Sequence, residues 1–502
     1  MLEILYGTAG TGKTAELYRR LKGHIQTGTQ AYVLVPEQFS METERKVIQT
    51  LGVSAQARIE VLTFSRLCNL VLNRMGPLRM QYVDSAGKLL LAQRALQVCE
   101  KDLTLLAANV RQRGFAEIFV STVSECKRYG VSPEQLKHAA EQSERPELRD
   151  KLNDISLLYE TYQKLMSERF SDAEDNLSLI LPKLTHCEFL QGTLYIQHFK
   201  SFTPVELSAV VQLMKRLNIV LLADCDDPET EDGVFAAAAN TIRQMIQQAK
   251  AENIPITPPV PYTQECKFAH NPALLHLKRE FFQPAPQAFT GGVQNSVFLV
   301  APRNFDREVT ECARTIVRLC RTEGYRMQDF LILTRSAEPY LALIDTTFQL
   351  YDIPVFIDCK HSMARNPLIR FLTGLTDCLV YGFSIERVMT MARTGLVSLS
   401  WDEIDMFENY VLATGVGHAM WNSKDEWTYN PDENQFDLEI VNRVRKVLSL
   451  PVRLMTDACR GRKTMSDICT ALLACIEQCG LSEKIGALCA DFLASGKPAL
   501  AE

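Results

Sequence analysis

The residues best suited to chemistry stand at the start of the chain, in the run Gly7-Thr8-Ala9-Gly10-Thr11-Gly12-Lys13-Thr14. This spacing, GxxxxGK[S/T], suits a phosphate. The glycines let the backbone bend until several N–H groups converge on one anion, and a helix beginning at Lys13 adds the positive end of its dipole. Lys13 brings a cation to the terminal phosphates, and the Thr14 hydroxyl can ligand Mg²⁺ held by the nucleotide. Gly7, Gly10, Thr11, Gly12, Lys13 and Thr14 are therefore the candidate ATP-binding residues, with Thr14 the metal contact. A glycine turn without a ligand is the plainer alternative. The surroundings argue against it, because the motif follows a short apolar run, Leu2 to Tyr6, and opens the helical stretch Lys13 to Lys22.

Hydrolysis would need more: an acid at the end of a neighbouring strand to hold Mg²⁺, and a second to position water. Asp224, which ends the apolar run Ile219 to Ala223 and precedes Asp226 and Asp227, has the right character. A solvated acidic turn after a strand would look the same, so no catalytic residue is assigned. The histidines form no catalytic set, since His186 and His198 lie near Cys187 without regular ligand spacing. None of the 15 cysteines forms a CxxC pair, and Cys469, Cys475 and Cys479 fit the apolar face of a helix better than a metal site.

The elements that must position these groups alternate. After the first strand and helix come the apolar run Ala31 to Val35, a helix from about Met41, and the strand-like Ile59 to Leu62 leading into another helix, which predicts a parallel α/β sheet. From about Gln81 to Leu181 the pattern changes to charged, leucine-spaced helices, an all-helical insertion. Strand-like runs return at Thr193 to Phe199 and Ile219 to Ala223, so the first sheet resumes. Proline-rich stretches at Ile254 to Tyr262 and Gln283 to Gly292 mark a boundary near residue 295. A second α/β unit is expected beyond it, with strands at Ser296 to Val300, Phe330 to Leu333 and Pro354 to Ile357, and with helices at Asp306 to Arg321 and Tyr340 to Leu350. From Asn366 on the pattern is mostly helical.

Composition is that of a folded multidomain chain: 502 residues, 46% hydrophobic and 23% charged, with no apolar run of the ~20 residues a membrane crossing needs. No membrane partner is expected. Met1 to Tyr6 lacks the features of an export signal, which places the chain in the cytoplasm. A net charge of −6 gives no global attraction to nucleic acid, so any DNA contact must be local. Loops at the carboxyl ends of parallel strands are where such contacts form. Gln38, Phe39, Ser40, Thr63, Phe64, Ser65 and Arg66 follow the second and third strands and combine polar groups for phosphate with aromatic rings for bases. The structural alternative is that the phenylalanines are core and the hydroxyls cap helices.

Taken in order, several segments resemble the AddB (RexB-like) family of helicase-nuclease subunits. They are the N-terminal phosphate loop, Val35-Pro36-Glu37-Gln38-Phe39-Ser40, Val61-Leu62-Thr63-Phe64-Ser65-Arg66-Leu67, Gly114-Phe115 with Lys127-Arg128-Tyr129, Asp172 to Leu177, and Phe199 to Glu206. Further on are Leu331 to Arg335, Ile353 to Asp358 and Glu408 to Leu412. The resemblance implies two RecA-like P-loop domains of superfamily 1 helicase type, each with a helical insertion. In that scheme residues 1–80 and 183–230 form domain 1A, 81–182 insertion 1B, 231–295 a connecting segment, 296–365 the start of domain 2A, and 366–502 insertion 2B. It further implies pairing with the motor subunit AddA, contact with single- and double-stranded DNA in double-strand break repair, and a share in recognising the Chi sequence. A nuclease domain with an iron-sulfur cluster is implied downstream, matched by no cysteine here. One departure stands out: where motor helicases carry Asp-Glu and AddB-like proteins often Asp-Gly, this chain has Gln197-His198. The resemblance therefore implies ATP binding without efficient turnover; an autonomous helicase is the alternative.

Overall fold

The computed structural model describes residues 1–76, 81–112, 114–167, 170–171, 173–292, 296–357, 363–421, 423, 425–431 and 435–496; Asp172 and Asp358 lie outside them. The chain divides into two compact units, Met1–Val300 and Ala301–Glu502.

The first unit contains β1 (Leu2–Gly7), β2 (Ala31–Leu34), β3 (Ile59–Leu62), β4 (Gln81–Tyr82), β5 (Phe170–Ser171), β6 (Thr193–Gln197), β7 (Asn218–Asp224) and β8 (Val260–Pro261). Six of them form one parallel sheet in the order β3-β2-β6-β7-β1-β8, and β4 pairs only with β5. A parallel sheet is covered on both faces, which is why β2 is buried throughout and β7 along its whole interior. Successive side chains alternate between two cores. Leu5, Val33 and Leu222 pack with α1 (Lys13–Thr27) and α2 (Ser40–Leu51). Ile4, Leu34 and Leu221 face the other way, toward α3 (Phe64–Met75) and further helices introduced below. Arg20 fastens α1 to β1, giving both Glu3 oxygens hydrogen bonds of 2.7 and 2.8 Å and Glu16 one of 2.7 Å from Nε. Hydrogen bonds from Arg19 and Arg20 hold the Glu16 carboxyl down to about 2.

Between β3 and β6 lie α4 (Ser85–Cys99), α5 (Phe115–Tyr129), α6 (Pro133–Glu141), α7 (Pro146–Ser167) and α8 (Ala173–Leu184). Residues of α4, α5 and α7, among them Leu96, Phe119 and Tyr159, make a separate core, whereas Ile180 and Leu184 of α8 join the sheet's. Asp154 of α7, 2% exposed, stitches this insertion together by accepting the N–H groups of Thr104, Leu105 and Leu106 at 2.8–3.2 Å. The sheet then resumes as expected with β6, α9 (Pro204–Met214) and β7. Residues 231–295 do more than connect. In α10 (Ala236–Ala251), Ala239, Ile242 and Met245 are in the core, and the proline-rich stretch supplies β8 before α11 (Pro272–Glu280). Pro261 is tolerated there because an edge strand can lack one N–H donor.

In the second unit α12 (Phe305–Glu323) and α13 (Leu341–Leu350) share a small core, and both helices fall where the sequence places them. The three strands expected beyond residue 295 do not form among the described residues. The runs 296–300, 330–333 and 354–357 have no ladder partner among the described residues, and they leave Leu299, Leu331, Leu333 and Phe356 at 97, 81, 85 and 89% exposure. A strand exists only through its neighbours, and these apolar runs find none among the described residues. The remainder is helical: α14 (Pro367–Tyr381), α15 (Ile385–Ala392), α16 (Trp401–Thr414), α17 (His418–Trp421), α18 (Leu438–Ala458), α19 (Met465–Gln478) and α20 (Leu481–Ala494). Phe371, Phe407, Trp421 and Trp427 anchor its core, which also takes in Cys475.

Replacing Asp154 by Ala strands three N–H groups at about 1–3 kcal/mol each, so urea unfolding should show a loss of at least about 3 kcal/mol, with faster amide exchange at residues 104–106. A loss under about 1 kcal/mol would contradict this role.

Candidate nucleotide and DNA site

The glycine loop is the bend between β1 and α1, at the carboxyl edge of the sheet. Gly10 and Gly12 take φ of 85° and 92°, a left-handed conformation that side chains resist and that turns the chain into the helix. Thr11 closes the loop through a 2.9 Å hydrogen bond from its hydroxyl to the Thr8 carbonyl. Lys13 is buried beneath it. Its Nζ donates to the Gly7 carbonyl at 2.6 Å and the Thr8 carbonyl at 2.9 Å, and lies 3.0 Å from Asp224 Oδ1. The Thr14 side chain is exposed at the helix start.

Asp224 reaches Lys13 because β1 and β7 are adjacent, with Gly7 opposite Asp224 in the register. The acidic cluster thus divides. Asp224 faces the loop, whereas Asp226 accepts the N–H of Asp227 and Asp227 that of Glu229, the behaviour of a self-capping turn. At the end of β6, one strand further on, Gln197 is buried and His198 takes the positive φ of 68°. The His198 ring stacks on Phe39 at 4.7 Å. It is exposed, yet desolvation by the surrounding loops lowers its pKa from the ordinary imidazole value, with Asp224 pulling the other way. Among the described residues no group of three or more His, Cys, Asp or Glu is arranged to hold a metal.

The seven DNA candidates follow β2 and β3, with Ser40 opening α2 and Phe64, Ser65 and Arg66 in the first turn of α3, and they differ in reach. Gln38 and Ser65 are exposed, and the Ser65 N–H points to Glu37 Oε1 at 3.4 Å. Arg66 is half exposed, ion-paired with Glu44, and within 3.4 Å of the Val61 carbonyl. Thr63 is fully buried and caps α3 by accepting the Arg66 N–H at 3.2 Å. Ser40 is buried with no partner for its hydroxyl. Phe39 lies against His198, and Phe64 meets Phe199 and Phe202 edge-on at 5.7 and 6.4 Å. Beside Phe64 a groove of about 370 Å³ runs between these loops and α5, lined by Glu37, Ser65, Lys127, Arg128 and Glu206 among others. Lys127 there is ion-paired with Asp175 at 2.6 Å.

Comparison with known proteins decides the lineage. A family model described as the N-terminal region of AddB matches residues 4–278, more than half the chain. The chain belongs to the AddB family. It is similar along its whole length to the B-type subunit of the ATP-dependent helicase/deoxyribonuclease of Acetivibrio thermocellus, at 32% identity, and to that of Clostridium acetobutylicum, at 28%, covering 45% of each relative. The Thermoanaerobacter sp. (strain X514) protein of the same name is 30% identical over 98% of this chain and 44% of its own length. The chain thus spans less than half the length of the AddB relatives it matches. Among the described residues no helix is long and apolar enough to cross a membrane.

One part of this AddB site is invisible in the motif. The chain leaving β8 crosses the phosphate loop as a strap, with the Cys266 and Lys267 N–H groups donating to the Gly10 carbonyl at 3.0 and 3.1 Å. All three motif glycines make room for it. A Cβ on Gly7 would stand 2.3 Å from the Tyr262 carbonyl, one on Gly10 3.0 Å from the Lys267 Cβ, and one on Gly12 3.2 Å from the Cys266 Sγ. No sequence signal joins residues 262–268 to the loop, since proline-rich polar segments read as connectors.

Gly10→Ala therefore meets both a disfavoured φ and the strap. Equilibrium titration with ATP should show binding weakened at least about tenfold, and amide exchange across 262–268 should accelerate. Affinity within about twofold of the parent would show that loop and strap are not coupled.

Proposed function

We propose that this chain is the helicase-like N-terminal part of the AddB-type subunit of a cytoplasmic heterodimeric helicase-nuclease. That complex would process double-strand DNA breaks for homologous recombination, with a motor subunit of the AddA type as partner. In this proposal residues 1–80 and 183–230 form a RecA-like domain 1A, 81–182 insertion 1B, 296–365 the start of domain 2A and 366–502 insertion 2B. The chain binds ATP and serves as a DNA scaffold, taking part in recognition of the Chi sequence, but does not itself drive translocation. Family membership and the names of the relatives support the first part.

The observation that carries the division between binding and turnover is the pairing of a complete phosphate loop with a non-acidic end to β6. The residues present fit a nucleotide: two left-handed glycines, a buried lysine at a helix start and an exposed threonine hydroxyl. Bound Mg²⁺ would neutralise phosphate charge and take the Thr14 hydroxyl as a ligand. Gln197 and a neutral His198 offer no anionic oxygen for it, and Asp224 already answers Lys13. To admit phosphate, Lys13 must turn at least one of its three N–H bonds from loop and carboxylate toward the anion. In this reading DNA follows the loops after β2 and β3, with Gln38, Ser65 and Arg66 outermost. Phe39, Ser40, Thr63 and Phe64 set the shape of that surface.

Two experiments test this. ATP should bind the chain, with Lys13→Ala weakening affinity about 10- to 100-fold for a lost charged hydrogen bond, while single-stranded DNA fails to stimulate hydrolysis. DNA-stimulated turnover abolished by Lys13→Ala would instead favour an autonomous motor. In fluorescence anisotropy, Arg66→Ala should weaken single-stranded DNA binding and lower the salt slope by about one; an unchanged slope would remove Arg66 from the DNA path.

A further inference from the structure

Beside the phosphate loop opens a cavity of about 1000 Å³. Its wall includes Thr8 of the loop, Asp224, Phe235, Tyr262, Glu265 and Phe268, so one cavity is bounded both by the glycine loop and by aromatic side chains. The volume lies at the upper end of the roughly 300–1,000 Å³ typical of small-molecule pockets, ample for a base and ribose. Phe268 is not free to drift from the loop: a Cβ on Gly10 would lie 3.2 Å from its ring, and the adjoining N–H groups of Cys266 and Lys267 are bonded to the Gly10 carbonyl. An aromatic face is thereby held at a fixed place relative to the phosphates.

A second observation points to what enters. Glu265 is largely covered, and one of its oxygens, Oε1, takes the Lys278 ammonium at 2.5 Å. The other, Oε2, is buried without any donor. A buried acceptor without a partner costs about 1–3 kcal/mol, and on the wall of a cavity the partner can come from a ligand. We infer that this chamber seats the base of the nucleotide whose phosphates the loop holds, with the Glu265 carboxylate, whose side chain lines the chamber, accepting a hydrogen bond from the base's exocyclic amine. Glu265 is then a specificity-determining residue: it favours adenine over hypoxanthine, which has a carbonyl where adenine has the amine and would set oxygen against oxygen. Lys278 holds the carboxylate through Oε1, and its Nζ also lies 5.9 Å from the Phe268 ring centroid. Lys267, the other cation near that ring at 5.6 Å, is exposed and can yield its place.

The inference rests on the phosphate-loop reading, and the test separates the two. Dissociation constants of the 502-residue chain are measured by calorimetry in Mg²⁺ buffer for ATP, ITP and inorganic tripolyphosphate. ATP should bind tightest, ITP about 10-fold or more weaker for one charged hydrogen bond, and tripolyphosphate weakest. Glu265→Ala should bring ATP to the level of ITP while tripolyphosphate stays within about twofold. Ala237→Phe, which puts a ring into the chamber from α10, should bring both nucleotides down to tripolyphosphate while tripolyphosphate itself stays within about twofold. Lys13→Ala should weaken all three ligands together. Tripolyphosphate binding as tightly as ATP, or an ATP-to-ITP ratio unchanged in Glu265→Ala, overturns the base seat and leaves the phosphate loop standing. A parent chain that binds none of the three overturns both.

Discussion

Lys13 has three ammonium protons and, in this molecule, three oxygens to receive them: two loop carbonyls and Asp224. That arrangement depends on the sheet. Only because β7 lies beside β1, with Gly7 opposite Asp224, does a carboxylate stand where the lysine can reach it. The order β3-β2-β6-β7-β1-β8 also places the ends of β2, β3 and β6 along the same edge. Gathering the glycine loop, the acid and the segments after β2 and β3 on one rim follows from parallel topology, in which every strand delivers its carboxyl end to the same side. The helical insertion, which carries its own core, adds Lys127 and Arg128 to that rim.

The glycine loop was legible because its geometry is specified locally: Gly10 and Gly12 are needed for backbone angles that few other residues adopt. The strands of the first sheet were legible for a similar reason, since burial on both faces writes itself as short unbroken apolar runs such as Ala31 to Leu34. What depends on distant partners was not. Asp154 reads as one more surface acid on a charged helix until the fold brings residues 104–106 to it. The strap over the loop and the edge strand β8 lie in a segment whose prolines suggest a linker, and Glu265 has no pattern at all. For the phenylalanines, the packing reading is visible in the contacts: Phe39 lies against His198 and Phe64 against Phe199.

The chain beyond residue 295 shows the limit of apolar patterning. The runs at 296–300, 330–333 and 354–357 have the composition of interior strands, and α12 and α13 lie where crossover helices would, yet no ladder forms among the described residues. Composition can say that a segment would pair, but not with what. Exposed side chains such as Leu299 and Phe356 represent apolar area that isolated strands cannot hide. The AddB relatives are more than twice as long as the matched region, so chain is available in them to cover such surfaces.

In the proposed nucleotide site the lysine rests on the carbonyls of its own loop. The most direct test is a crystal structure of the chain grown with ADP and Mg²⁺. The account predicts a β-phosphate ringed by the loop N–H groups of residues 10–14, with Lys13 Nζ turned from the Gly7 carbonyl to a phosphate oxygen. Nucleotide bound elsewhere, or a loop unchanged with Lys13 still on its carbonyls at saturating ADP, would contradict it.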